Sequence, residues 1–118
     1  LTVITDEFMQ QTLATTKPCS VMVLKVGPNR QKPGAEAIVW EHGRRNFLLS
    51  TQNLLWLACP ISDESNLAGI GIFNTDVEEV KKVMDEDPGV KAGVFVYEVH
   101  SSVYFDGRTL ALKEASKL

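Results

Sequence analysis

Apolar positions recur along the chain in two rhythms, one near 3.6 residues and one of two, and the switches between them predict its elements. Phe8, Met9 and Leu13 stand at near-helical spacing behind Thr5 and Asp6, either of which can cap a helix start. Thr5 to Leu13 therefore reads as a short amphipathic helix, ended near Thr16-Lys17-Pro18, that covers an edge or opening of the sheet. Ser20 to Val26 (SVMVLKV) is apolar on both faces except at Lys25 and stops at Gly27-Pro28-Asn29, which predicts a central strand followed by a turn. Pro33 suits the first turn of a helix, where a missing N–H costs nothing, and that helix is expected from about Pro33 to Thr51. Ala35, Ile38, His42 and Leu49 form its inward stripe, and Trp40, Phe47 and Leu48 widen the apolar surface. Gly43 in its middle costs ~1 kcal/mol of helix propensity.

Leu54 to Ala58 (LLWLA) predicts a second strand, stopped at Cys59-Pro60, and Ile61 to Asn66 carries turn chemistry. Leu67 to Phe73 (LAGIGIF) predicts a third strand, paired with the second as a hairpin. Asn74-Thr75-Asp76 supplies caps for a second long helix, in which Val77, Val80, Val83 and Met84 repeat at helical spacing. Asp76, Glu78 and Glu79 suit the positive end of its dipole, and Asp87-Pro88-Gly89 ends it. Val94 to His100 (VFVYEVH) predicts a fourth strand, with a less regular tail after it. The order is strand, helix, strand, strand, helix, strand: an α+β, ferredoxin-like βαββαβ domain with a four-stranded antiparallel sheet and an extra N-terminal helix. The expected division is residues 1–19 as a helical extension, 20–107 as the α+β domain and 108–118 as a tail. Two helices cover one face of such a sheet. The strands are apolar on both sides, so a second copy on the other face, a homodimer, is expected.

Composition agrees with one globular domain. The chain has 118 residues, 44% hydrophobic and 23% charged, and a chain this long buries roughly two-thirds of its unfolded surface. A net charge of −3, with no basic run denser than Gly43-Arg44-Arg45, argues against a nucleic-acid footprint. No apolar run approaches the ~20 residues of a membrane span. Cys19 and Cys59 lie far apart without a Cys-x-x-Cys, and the front carries no signal-peptide pattern, so two reduced thiols and a cytoplasmic location are expected. The terminal Ser116-Lys117-Leu118 matches a peroxisomal address, a three-residue pattern that chance or a cloning remnant also supplies.

From about Ser20 to Phe105 the chain resembles the YCII-related domains. The features are the first strand VMVLKVGPNR, His42 on the first long helix, Pro60 eighteen residues later, Asp87-Pro88-Gly89-Val90-Lys91-Ala92-Gly93, and Tyr97-Glu98-Val99-His100 on the closing strand. The Asp-Pro segment is similar to the family's Asp-Pro-x-x-x-Ala-Gly. Cys59 stands where the family usually has glycine, and Ser101-Ser102 replaces its common Pro-Trp. The resemblance implies a dimeric α+β barrel. It also implies that His42 and Asp87 are the two halves of a catalytic His–Asp pair.

Read from its own stripe, His42 faces the sheet, where it is either a satisfied core histidine or a group that exchanges protons with a ligand. Asp87 precedes Pro88 and is pushed toward extended backbone, so it closes the helix, and its carboxylate either satisfies local N–H groups or orients His42. Lys25, the one charge inside the first strand, and His100, at the end of the last, are the candidate ligand-binding residues. Arg44 and Arg45 read as a solvated helix face.

Other chemistries lack their patterns. Ser62, Asp63 and His42 have no Gly-x-Ser-x-Gly to make them a triad. His42, His100, Cys19 and Cys59 lack metal-ligand spacing, and no metal is expected. Gly69-Ile70-Gly71 lies within a strand and is no phosphate cradle. No cofactor motif is present, which leaves a haem or flavin oxygenase of related fold a distant third reading. Two readings lead. One is an enzyme that isomerises or eliminates on a small cyclic or carbonyl-bearing compound, with His42 as acid/base and Asp87 as its partner. The alternative is a non-catalytic dimeric module that binds a small molecule or a protein.

Overall fold

The computed structural model describes residues 3–116. Among them the chain runs α1 (Asp6–Leu13), β1 (Lys17–Val26), α2 (Ala35–Thr51), β2 (Leu55–Pro60), β3 (Leu67–Phe73), α3 (Val77–Asp85), α4 (Pro88–Lys91), β4 (Phe95–Tyr104) and α5 (Gly107–Ser116). The strands form one antiparallel sheet in the order β2-β3-β1-β4, an α+β arrangement compatible with a ferredoxin-like fold. No helix among the described residues is long and apolar enough to cross a membrane. Two compact units divide them: Cys19–Ser102, and residues 3–18 with 103–116.

In the larger unit, strand alternation sorts β1 into two rows. Ser20, Met22 and Leu24 are buried beneath the helices, and Val21, Val23 and Lys25 point to the other face, half-buried. The register carries the sorting into β3, where Met22 lies opposite Gly71 and Leu24 opposite Gly69, while Val21 faces Ile72 and Val23 faces Ile70. Met22, Leu24, Leu49, Phe73, Met84 and Phe95 are at the centre of the core. Gly27, just past β1, donates its N–H to Val94 O at 2.8 Å. A Cβ at Gly27 would meet Gly93 O and the backbone of Val94, so glycine permits the approach that fixes the start of β4.

Several sequence expectations shift. The first helix starts at Ala35 with Gly34 as its cap, so Pro33 precedes the cap instead of occupying the first turn. Its buried stripe is narrower than the apolar pattern suggested. Ala35, His42 and Leu49 are buried, whereas Trp40, Phe47 and Leu48 are exposed. The second strand continues through Cys59-Pro60, because it lies at the sheet edge, where a missing N–H is tolerated. In α3, Asp76 is the cap, its carboxylate accepting from Glu79 N at 2.9 Å, and Val80 and Met84 are buried. The chain then turns at Asp87 into a separate short helix, α4. Cys19 is buried, Cys59 is exposed, and both are free.

In the smaller unit, Thr5 caps α1 by accepting from Phe8 N at 3.1 Å, and no residue of α1 is buried. The tail is not irregular. β4 extends to Tyr104, and Asp106, whose carboxylate takes the backbone and guanidinium of Arg108, leads into α5. Lys117 and Leu118 of the terminal tripeptide lie outside the described residues.

One contact ties β4 to α3 through a titratable group. The Tyr97 hydroxyl donates to Asp85 Oδ1 at 2.7 Å, with Lys81 O at 3.3 Å. Burial, then the hydrogen bond and the negative charge of Asp85, push the phenol up to about 12. A raised phenol stabilises the fold fully below the ordinary tyrosine value near ~10, and that contribution is lost as pH rises through about 12. Alkaline ultraviolet titration of a Tyr104→Phe variant should therefore show its one remaining phenol ionising near 12, and Asp85→Asn should move the transition to lower pH.

Candidate active site

The Asp-Pro-Gly turn builds the site from below. Asp87 has extended backbone (φ −67°, ψ 133°) and caps α4, its Oδ2 accepting from Gly89 N at 2.9 Å and Val90 N at 3.3 Å. Gly89 is required there, since a Cβ would press on the ring of Phe95 at 2.6 Å and on Asp87 Oδ2 at 3.0 Å. The carboxylate is buried, with no exposed surface.

From above, α2 lowers His42 onto the same carboxylate. Nδ1 stands 2.9 Å from both Oδ1 and Oδ2. An ionised carboxylate only accepts, so Nδ1 carries the hydrogen, and whenever the ring is neutral Nε2 carries the lone pair. Asn46, one turn along α2, places its amide nitrogen 3.3 Å from Nε2, the geometry of a donor to that lone pair. The imidazole packs on Phe95, ring centroids 4.9 Å apart. Burial pushes the Asp87 carboxyl up. The hydrogen bond and charge of His42, with the N–H groups of Val90 and Gly89, outweigh it and hold the group below the usual carboxylate value.

Arg45 completes the set. Its Nη1 is buried, makes no hydrogen bond, and lies 3.7 Å from Asp87 Oδ1. The sequence reading placed Arg45 on a solvated face. The signal that could have found it is its spacing of three from His42, which puts both side chains over one point. The pair therefore has a third charged member.

His42 lines a cavity of about 250 Å³ between α2 and the sheet. Its walls are mainly apolar, with Met22, Leu24, Leu55 and Phe95, and Cys59 and Pro60 stand at its β2 side. A second cavity of about 360 Å³ in the smaller unit, lined by residues such as Phe8, Thr12 and Tyr104, contains no histidine or cysteine.

Lys25 and His100 are not brought to this site. Phe95 and Leu24 point toward His42, and alternation sends Glu98, His100 and Lys25 to the other face of the sheet. There Glu98 stands between the two, 3.6 Å from Lys25 Nζ and 3.7 Å from His100 Nε2. Among the described residues, no three His, Cys, Asp or Glu side chains are grouped as a metal site.

The arrangement can abstract a proton at Nε2 while Asp87 stabilises the imidazolium that forms. Asp87→Asn gives its test. The amide oxygen would keep the Gly89 and Val90 N–H groups, turning its NH2 toward Nδ1 and forcing the ring into the Nε2–H tautomer, which ring 15N shifts report. Losing the charge-assisted bonds should cost about 1.5–3 kcal/mol at neutral pH. Because the native Asp87 carboxyl is lowered, its contribution exists above the unfolded value near ~3.9 and is lost as pH falls through the native one. Urea unfolding of the two proteins should therefore converge on acidification. No family model and no curated protein matches the chain.

Proposed function

We propose that this chain is a YCII-like dimeric enzyme that moves a proton on a small cyclic or carbonyl-bearing compound, with His42 as general acid/base and Asp87 as its orienting partner. The observation that carries the reading is the buried His42–Asp87 hydrogen bond at 2.9 Å on the wall of a cavity. A core histidine with a structural role alone would be sealed, whereas this ring opens on empty space with its basic nitrogen held only by Asn46.

The reaction follows from these groups. Nε2 takes a proton from carbon beside the carbonyl, the C–H electrons pass to the enolate, and Asp87 offsets the charge on the ring. The same proton then returns to another carbon in an isomerisation, or is handed to a leaving group in an elimination. The test is hydrogen–deuterium exchange of small cyclic ketones and lactones, followed by proton NMR in D2O. The native protein should exchange α-protons above buffer, and His42→Gln should lose about 10²-fold or more of that rate. Binding without exchange across the panel would favour the non-catalytic module.

Dimerisation is the second part of the proposal. On the face away from the helices, Val21, Val23, Ile70 and Ile72 are only half-buried, and Leu57 and Val96 are exposed. A contiguous apolar surface of this kind is seldom left to water in a monomer. Light scattering at micromolar concentration should give twice the 13.1 kDa chain mass, and Val23→Glu should give single chains. A native monomer at that concentration would remove this part.

A further inference from the structure

The His42 cavity, about 250 Å³, falls below the roughly 300–1,000 Å³ of ordinary small-molecule sites. Its rim on α2 borders a second hollow. Val39 and Gly43, which line it, also line a groove of about 470 Å³ on the outer surface of α2, flanked by Trp40 and Phe47. Gly43 borders both. It stands mid-helix, where glycine weakens the helix, and a Cβ built on it would meet nothing within 4 Å. No packing within the chain therefore demands glycine. Its helical neighbours Trp40 and Phe47, three residues before and four after, leave 71% and 77% of their surface in water. Two large rings stand on one side of Gly43 and the His42 cavity on the other.

We propose that the ligand of His42 is an elongated aryl-carbonyl compound. Its reacting carbonyl end sits in the cavity, and its planar apolar end leaves over Gly43 to lie between Trp40 and Phe47. Gly43 is then a specificity-determining residue: its missing side chain admits compounds too long for the cavity. The charges at the groove do not call for an ionic tail, because Glu36 is paired with Arg30 at 2.8 Å and Arg44 with Glu41 at 3.1 Å. Flat aromatic surface, which stacks on tryptophan and phenylalanine, matches what remains. The border that cavity and groove share at Val39 and Gly43 favours this occupant over a protein partner. The proposal rests on the His42–Asp87 reading.

The test uses acetophenone and 4-acetylbiphenyl, which share a ketone head and differ by one ring. Both are titrated into the full chain carrying Trp56→Phe, so that Trp40 is the only tryptophan, with His42 ring signals read by NMR and Trp40 by fluorescence. Both probes should move the His42 signals. The biphenyl should bind about tenfold tighter and quench Trp40. Gly43→Leu should remove that gain without lowering the melting temperature, whereas Gly43→Ala should keep it. Trp40→Ala, which leaves the rim open, should lose it independently. Equal affinities with His42 signals moving, or a biphenyl affinity untouched by both Gly43→Leu and Trp40→Ala, would overturn the extended site and leave the His42 reading standing. If neither probe moves His42, both fall. A Trp40 signal that follows protein concentration and ignores the probes would assign the groove to another copy of the chain, and the proposal would be wrong.

Discussion

A fully buried carboxylate is the constraint around which the larger unit is arranged. Ionised Asp87 has no access to water, and a charge in that position must have its lone pairs filled by the protein. Two partners come from its own turn, where Pro88 favours the extended backbone and Gly89 leaves room for the N–H groups to reach Oδ2. The rest must come from elsewhere in the chain, and α2 supplies a hydrogen bond from His42 and the nearby charge of Arg45 at 3.7 Å. That requirement sets the rotation of α2 about its own axis. Once His42 and Arg45 face Asp87, Ala35 and Leu49 face the core, and Trp40 and Phe47 face outward. The exposed aromatic rings thus follow from the same constraint as the buried pair.

The sheet beneath is built to leave room. On β3 the residues turned toward the helices are Gly69, Gly71 and Phe73, while the row facing away includes Ile70 and Ile72. A β-carbon on Gly71 would already crowd Met22, Phe73 and Leu55 at 3.2–3.3 Å. A strand that only had to fill a core would put its bulk inward, since buried isoleucine contributes roughly 1.5–3 kcal/mol. Here the bulk is outward and the space inward. Cavity and apolar open face are two consequences of one alternating pattern.

That pattern made most of the fold legible. The apolar run Leu67 to Phe73 has the bounds of β3, and Asn74-Thr75-Asp76 ahead of a valine-rich helical repeat marks the start of α3. Stop signals were less informative. Cys59-Pro60 reads as a strand end, yet proline is tolerated in an edge strand, and edge position is a property of the sheet order rather than of local sequence. The apolar content of α2 likewise cannot say which of its large residues are turned inward, because tertiary partners decide that. The site divided in the same way. His42 was visible on its stripe, and Asp87, 45 positions away, as a carboxylate that either satisfies local N–H groups or orients it; tertiary packing makes it do both. Arg45 was missed because a charged residue next to another on a helix reads as solvent-facing until the buried anion is placed. Lys25 and His100 were singled out as charges in apolar strands. Alternation sends them to the side where Glu98 waits.

The two edges of the His42 ring are held with unequal strength, an inequality that suits the proposed proton transfer. On Nδ1 the bond to Asp87 is charge-assisted and 2.9 Å long, in a buried setting that strengthens it. On Nε2 the partner is a neutral amide at 3.3 Å, near the outer limit of a hydrogen bond. A ligand entering the cavity can displace the Asn46 contact at small cost, whereas it cannot turn the ring without breaking the Asp87 bond. When Nε2 gains a proton, Asn46 can rotate its amide to present oxygen in place of nitrogen, so the same side chain serves both protonation states. The imidazole is therefore fixed in orientation on its Asp87 side and loosely held on the side that faces the cavity.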